Sequence, residues 1–169
     1  PIETNRQMGP MFSSWLKKRF MSYSNIRDII KSEEKICVLE GSDKVLAKFA
    51  KEYLNLNLPL GAKKKKKGLD LLVKINTYPT KTFIIGEAKF LTDEGGHQNA
   101  QLKDALALLT SANYKNNGEF NVLRVAILDG VCWINSKNTK MQQDLRGLSD
   151  NQIAISALLL EEFFNSLLL

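Results

Sequence analysis

Three ionisable residues stand where chain packing alone has no use for them. Asp70 falls in an apolar stretch where Leu69, Leu71, Val73 and Ile75 alternate with Asp70, Leu72, Lys74 and Asn76. Glu87 and Lys89 sit two apart in a run otherwise made of Phe83, Ile84, Ile85, Gly86, Ala88 and Phe90. Both stretches read as strands, and residues two apart on a strand leave it on the same side. Charges on a central strand are costly unless they are paired or hold a cation. Tyr78-Pro79-Thr80 reads as the turn between the two strands, which then pair directly and bring Asp70 beside Glu87 and Lys89. Two carboxylates converging in this way suit Mg²⁺, which takes oxygen ligands and keeps several waters. Such an ion polarises a phosphate oxygen and acidifies a bound water. Lys89 then either orients or deprotonates that water, or stabilises charge on the phosphorus. The chemistry is in-line hydrolysis of a phosphodiester. The plainer alternative is an exposed Glu87–Lys89 ion pair on an edge strand.

The elements that must hold these residues follow from hydrophobic period and breakers. Residues 2–21 read as a helix, with Met8, Phe12, Trp15, Leu16 and Phe20 near helical spacing. Residues 23–35 read as a second short helix. Ser42 or Asp43 caps a third, whose Val45, Leu46, Phe49, Ala50, Tyr53 and Leu54 make one apolar face. After the two strands, Gly95-Gly96 breaks the chain and residues 98–112 read as a helix. Residues 122–128 read as a buried strand, Asp129-Gly130 as a hairpin turn and 131–134 as the returning strand. Ser149 or Asp150 caps a last helix running almost to Leu169. The expected class is α/β, a mixed sheet flanked by helices. It is one domain with a helical N-terminal part at 1–58, a catalytic core at 66–135 and a C-terminal helix at 149–168.

Composition bounds the possibilities. The chain has 169 residues, 44% of them hydrophobic and 25% charged, which is an ordinary globular mixture. No apolar run is long enough to span a bilayer, so no membrane partner is expected. Two cysteines and one histidine form no metal-ligand pattern and no disulfide framework. A reduced, cytoplasmic location is expected. The net charge of +6 favours a polyanionic partner without choosing among them.

Asp70 followed by Glu87-Ala88-Lys89 resembles the PD-(D/E)XK nuclease signature. The longer phrases are similar to type II restriction endonucleases. They are Lys67-Gly68-Leu69-Asp70-Leu71-Leu72, then Ile85-Gly86-Glu87-Ala88-Lys89-Phe90-Leu91-Thr92-Asp93, then Gly95-Gly96-His97-Gln98-Asn99-Ala100-Gln101. The similarity spans roughly residues 40–112, and Leu69 stands where the signature has proline. The resemblance implies a restriction-endonuclease-like core and Mg²⁺-dependent cleavage of double-stranded DNA, with Mn²⁺ able to substitute. Asp70, Glu87 and Lys89 are then catalytic, and Asp70, Glu87 and the Ala88 backbone carbonyl hold the metal. It also implies a further carboxylate from an N-terminal helix, a place that Glu40 fits. A glutamine of the helix after the strand pair is implied to approach the site, which points to Gln98 or Gln101.

Several residues keep two readings. Lys63, Lys64, Lys65, Lys66 and Lys67 grip the DNA backbone or form a solvated loop. Gly68 admits another group closely, such as a phosphate, or simply turns the chain into the strand. His97 packs near Gly95-Gly96 rather than acting as a base. Within the same superfamily the alternative activity is a structure-specific junction or repair nuclease. The alternative of another class is a non-catalytic DNA-binding remnant of a longer enzyme. A homodimer, or a longer native chain, is expected on two grounds: a two-fold pair of sites suits a double-strand break, and the terminal helix carries more apolar surface than one small domain covers, unless that helix is buried centrally in its own domain.

Overall fold

The computed structural model describes residues 2–58, 68–110, 119–134, 139–150 and 152–169. Six strands form one sheet whose spatial order equals their sequence order. They are β1 (Met21–Tyr23), β2 (Ile36–Leu39), β3 (Leu71–Ile75), β4 (Thr82–Leu91), β5 (Asn121–Gly130) and β6 (Ile153–Ile155). The helices are α1 (Ile2–Arg19), α2 (Ile26–Lys31), α3 (Asp43–Tyr53), α4 (Gly96–Thr110), α5 (Lys140–Arg146) and α6 (Leu160–Ser166). β3 runs antiparallel to both its neighbours, β2 and β4, whereas β1 is parallel to β2, and β4, β5 and β6 are mutually parallel. The sheet is therefore mixed and flanked by helices, the α/β class expected. α4 is the crossover that a parallel β4–β5 pair requires.

Helices cover both faces, so β3 is buried at all five positions instead of alternating. On one face Cys37, Leu39, Leu72, Phe83 and Ile85 pack against Ile29 of α2 and Leu46 and Phe49 of α3. That face continues under α4 and α5 through Leu91, Leu102, Ala126, Leu128 and Met141. On the other face Val38, Leu71, Val73, Ile84, Val125 and Ile127 meet Leu16 of α1 and Leu160 and Phe164 of α6. Arg19 ties α1 to α6 through Glu161 at 2.6 Å. Among the described residues, no helix is long and apolar enough to cross a membrane.

Four readings of the sequence are corrected. The part at 1–58 is not purely helical, because it contributes β1 and β2, and Tyr23 ends a strand rather than starting a helix. No hairpin forms at Asp129-Gly130, and Val131–Trp133 is a turn of 3-10 helix. The reason is topological: β5 already pairs with β4 on one side and β6 on the other, leaving no slot for a returning strand. Gly130 takes φ +98°, and a Cβ there would lie 2.0 Å from the Leu91 carbonyl oxygen, so only glycine ends β5 this way. The last helix does not run over 149–168. β6 replaces its start, a 3-10 turn follows at Ala157–Leu159, and α6 is short. Asp129 fixes that turn by accepting hydrogen bonds from the Ser156 hydroxyl and, at 3.0 Å, the Ala157 N–H. Of the apolar residues assigned to that helix, Leu160 and Phe164 are fully buried, Leu158, Leu159 and Leu169 are exposed, and the others are partly buried.

Lys74 is the one fully buried cation among the described residues. Its Nζ donates to the carbonyls of Ile29 (2.9 Å), Ile30 (3.0 Å) and Ser32 (2.7 Å). These are carbonyls at the end of α2 that the helix itself leaves unsatisfied. Burial pushes the ammonium pKa down, while three acceptors arranged around three N–H donors match the charged form. Lys74 therefore pins α2 to the centre of the sheet. Replacing it by methionine keeps the volume but orphans the Ile29 and Ile30 carbonyls and leaves the Ser32 carbonyl only the Asn76 amide. Lys74→Met is expected to lower unfolding stability by about 3 kcal/mol, read as a shifted urea midpoint at unchanged slope. Wild-type stability in this variant would refute the pin.

Candidate active site

The site lies at the open end of the β3–β4 hairpin. Register runs from Ile75 opposite Thr82 to Leu71 opposite Gly86, where β3 stops and β4 continues for five more residues. That continuation pairs with β5 on its far side, Glu87 with Ala126 and Lys89 with Leu128. On its near side the backbone has lost its strand partner, and buried N–H groups must find another acceptor. Asp70 supplies it. The Asp70 N–H donates to the Gly86 carbonyl at 3.0 Å. Its Oδ2 accepts from the Ala88 N–H at 2.8 Å. Asp70 thus grips β4 on both sides of Glu87.

Glu87 and Lys89 share one side of β4, and Lys89 Nζ lies 2.9 Å from Glu87 Oε1. The Glu87 side chain is 10% exposed and that of Lys89 29%, so this is a mostly buried pair rather than an exposed one on an edge strand. β4 is moreover central, between β3 and β5. Burial pushes the Asp70 carboxyl pKa up. The Ala88 N–H and Lys89 oppose this, Asp43 and Glu87 add to it, and the net shift is upward. Burial alone would lower the Lys89 pKa. The charge and hydrogen bond of Glu87, with Asp70 and Asp104 behind them, outweigh it, and Lys89 is held above its ordinary value as an ammonium.

Of the other expected residues, Glu40 is not brought to this cluster. It follows β2 two residues after Val38, which packs on the α1–α6 face, and it pairs with Lys17 of α1 at 3.0 Å. Asp70 and Glu87 fall in line with Leu72 and Ile85, which pack on the opposite face. The acid beside Asp70 is instead Asp43, the first residue of α3. Its carbonyl accepts from the Leu69 N–H at 3.3 Å, and its charge acts on Asp70. A Cβ on Gly68 would lie 2.2 Å from the Asp43 Cβ, so the close approach that Gly68 permits is that of α3. In the sequence Asp43 looks like a helix-capping residue. Nothing local marks it as a neighbour of a residue 27 positions on.

Gln98 and Gln101 separate. Gln98 is buried under the loop after β4, where its Nε2 donates to the Thr92 hydroxyl at 3.1 Å and its Oε1 has no partner among the described residues. Gln101 lies at the surface, 3.1 Å from His97 Nε2. Asp104, further along α4, adds a charge that acts on Lys89 and that the sequence did not single out. Lys63, Lys64, Lys65, Lys66 and Lys67 lie outside the described residues. Among the described residues, no group of three histidine, cysteine or acidic side chains stands close enough to hold a metal ion.

An Asp70 whose pKa is raised by burial works against the metal-free fold. The native state then holds its proton more tightly than the unfolded chain does, so stability falls as pH rises from the ordinary carboxylate range through the raised value. Asp70→Asn keeps an oxygen for the Ala88 N–H and removes the charge. In EDTA this variant is expected to melt above wild type at neutral pH and to match it at pH values below the ordinary carboxylate range. A variant that melts below wild type at neutral pH would contradict this electrostatic reading.

Residues 1–167 match the family model described as Tsp45I type II restriction enzyme. No curated protein and no solved structure matches the chain. The match covers almost the whole length, including the flanks outside the nuclease-like phrases, and the mixed sheet agrees with it. The chain belongs to the Tsp45I type II restriction enzyme family.

Proposed function

We propose that this restriction endonuclease hydrolyses phosphodiester bonds of double-stranded DNA with Mg²⁺, and that Asp70, Glu87 and Lys89 carry the reaction. The observation that supports this most is the grip of Asp70 on both neighbours of Glu87, with Lys89 2.9 Å from the Glu87 carboxylate. Type II restriction enzymes in general use a divalent metal, and the donor set here suits a hard one. Asp70 and Glu87 offer carboxylate oxygens, the Ala88 carbonyl lies on the strand between Glu87 and Lys89, and no thiol or imidazole belongs to the cluster. Two or three protein oxygens are enough for Mg²⁺, which keeps waters and takes phosphate oxygens for the rest; Mn²⁺ fits the same donors. When bound, the ion supplies Lewis-acid polarisation of the phosphate and a more acidic water.

The residues of the chain divide the remaining work. Glu87 holds the Lys89 ammonium in place, and Asp70 holds Glu87 by fixing the backbone on either side of it. As an ammonium, Lys89 donates hydrogen bonds to the attacking water and to the non-bridging phosphate oxygens, where negative charge grows. The water oxygen forms a bond to phosphorus as the opposite P–O ester bond breaks. The water proton leaves to solvent, and the departing oxygen is protonated. Burial of Glu87 and Lys89 strengthens these interactions relative to water.

A homodimer completes the proposal. The two strands of a duplex are related by a two-fold axis, and two copies of one site related in the same way cut both.

Incubating the protein with plasmid DNA and sequencing the ends tests the reading. Discrete double-strand ends at one short sequence are expected in Mg²⁺ or Mn²⁺, with binding but no cutting in Ca²⁺. Lys89→Met is expected to lower single-turnover cleavage by at least about a hundredfold with duplex binding retained. Full activity in EDTA, or near-normal turnover in a folded Lys89→Met, would overturn it.

A further inference from the structure

We infer that α3 is a phosphate-binding helix, laying Lys44, Lys48 and Lys51 along the backbone of the duplex beside Asp70. The inference rests on the nuclease reading above and says where the DNA runs. Residues on a helix turn about 100° each, so these three lysines fall within an arc of about 60°, spread over about 10.5 Å of axis. All three are exposed, whereas Leu46, Phe49 and Ala50 on the opposite side are buried against the sheet. Lys48 has one weak partner, Glu52, at 3.9 Å on the same helix. Among the described residues, Lys44 and Lys51 have no ionic partner.

Position separates this stripe from an ordinary solvated face. The residue before Lys44 is Asp43, which touches Gly68, bonds Leu69 and acts on Asp70. The stripe therefore starts within one residue of the contact that sets Asp70, and it runs away from the site along α3. Duplex DNA carries one negative charge per about 1.7 Å of axis, so a track of this length faces several phosphates whatever the sequence. Lys31, Lys35 and Lys81 provide a natural contrast. The Lys35 carbonyl binds the Asn76 N–H, the Ser32 carbonyl next to Lys31 accepts from the Asn76 side-chain amide, and the Lys81 carbonyl binds the Asn121 N–H, which places all three at the end of the sheet away from Asp70.

The test measures affinity for a duplex lacking the cleavage sequence, by fluorescence anisotropy in Ca²⁺ at several salt concentrations. It compares wild type, a Lys44→Gln/Lys48→Gln/Lys51→Gln variant and a Lys31→Gln/Lys35→Gln/Lys81→Gln variant. The α3 variant is expected to bind more weakly, with the slope of log affinity against log salt flattened by about 0.9 per lost contact, up to about 2.7 in all. The triple lysine-to-arginine variant should keep the wild-type slope. The far-end variant should behave as wild type. An α3 variant with the wild-type slope, or an equal loss in the far-end variant, overturns this inference while leaving the nuclease reading intact. A wild-type protein that neither binds nor cuts duplex DNA overturns both.

Discussion

Asp70 does two things with one residue at the point where β3 ends. Its backbone closes the last ladder bond on Gly86, and its carboxylate takes the Ala88 N–H that β3 no longer reaches. A strand that outruns its neighbour exposes unpaired donors, and this one is satisfied by a side chain rather than by water. The geometry of the site depends on that substitution. Glu87 lies between the two anchored positions, so its backbone cannot shift without breaking one of two hydrogen bonds. Lys89 is oriented in turn by Glu87. The arrangement works against stability, because burial raises the Asp70 pKa and a third acid, Asp43, stands close by. Functional sites commonly accept such opposition between charge and fold.

The rest of the sheet makes the arrangement possible. β4 is twice as long as β3 because β5, parallel to it over ten residues, supports its second half. The helix required to bring the chain back for a parallel strand is α4, and it carries Gln98 and Asp104 past the same end of the sheet. The cluster thus lies at the carboxyl end of β4, β5 and β6, the usual place for sites in open α/β sheets. On the other side α3 holds the chain entering β3 through Asp43. Lys74, at the far half of β3, fastens α2 to the same strand. β3 is short, but it is tied to a helix near each end.

Much of this was legible in the sequence, and what was not has identifiable causes. Asp70, Glu87 and Lys89 stood out because charges break an apolar strand pattern, and the turn at Tyr78-Pro79 implied their pairing. β2 was hidden because Ile36–Leu39 is four residues long, too short for period to separate strand from helix. β6 was read as helix because Ile153 and Ile155 sit just upstream of an apolar segment with helical spacing. The hairpin at Asp129-Gly130 satisfied every local rule and failed because β6, distant in sequence, takes the place beside β5. Glu40 and Asp43 show the same limit at the site. Which face of the sheet Glu40 leaves from is set by the register of β2 against β3, and only tertiary contact brings Asp43 to Asp70. Local chemistry singled out the charged groups that cluster; long-range pairing decided their neighbours.

The central claim is that Asp70 and Glu87 form one cation-binding centre at the end of the hairpin. Electron paramagnetic resonance of Mn²⁺ titrated into wild type, Asp70→Asn and Glu87→Gln tests it most directly, because free and bound ions differ in signal and no cleavage is needed. Wild type should take up the ion in a manner that Mg²⁺ reverses, and each folded variant should lose most of that uptake. Equal uptake by all three proteins would place the metal elsewhere and contradict the claim.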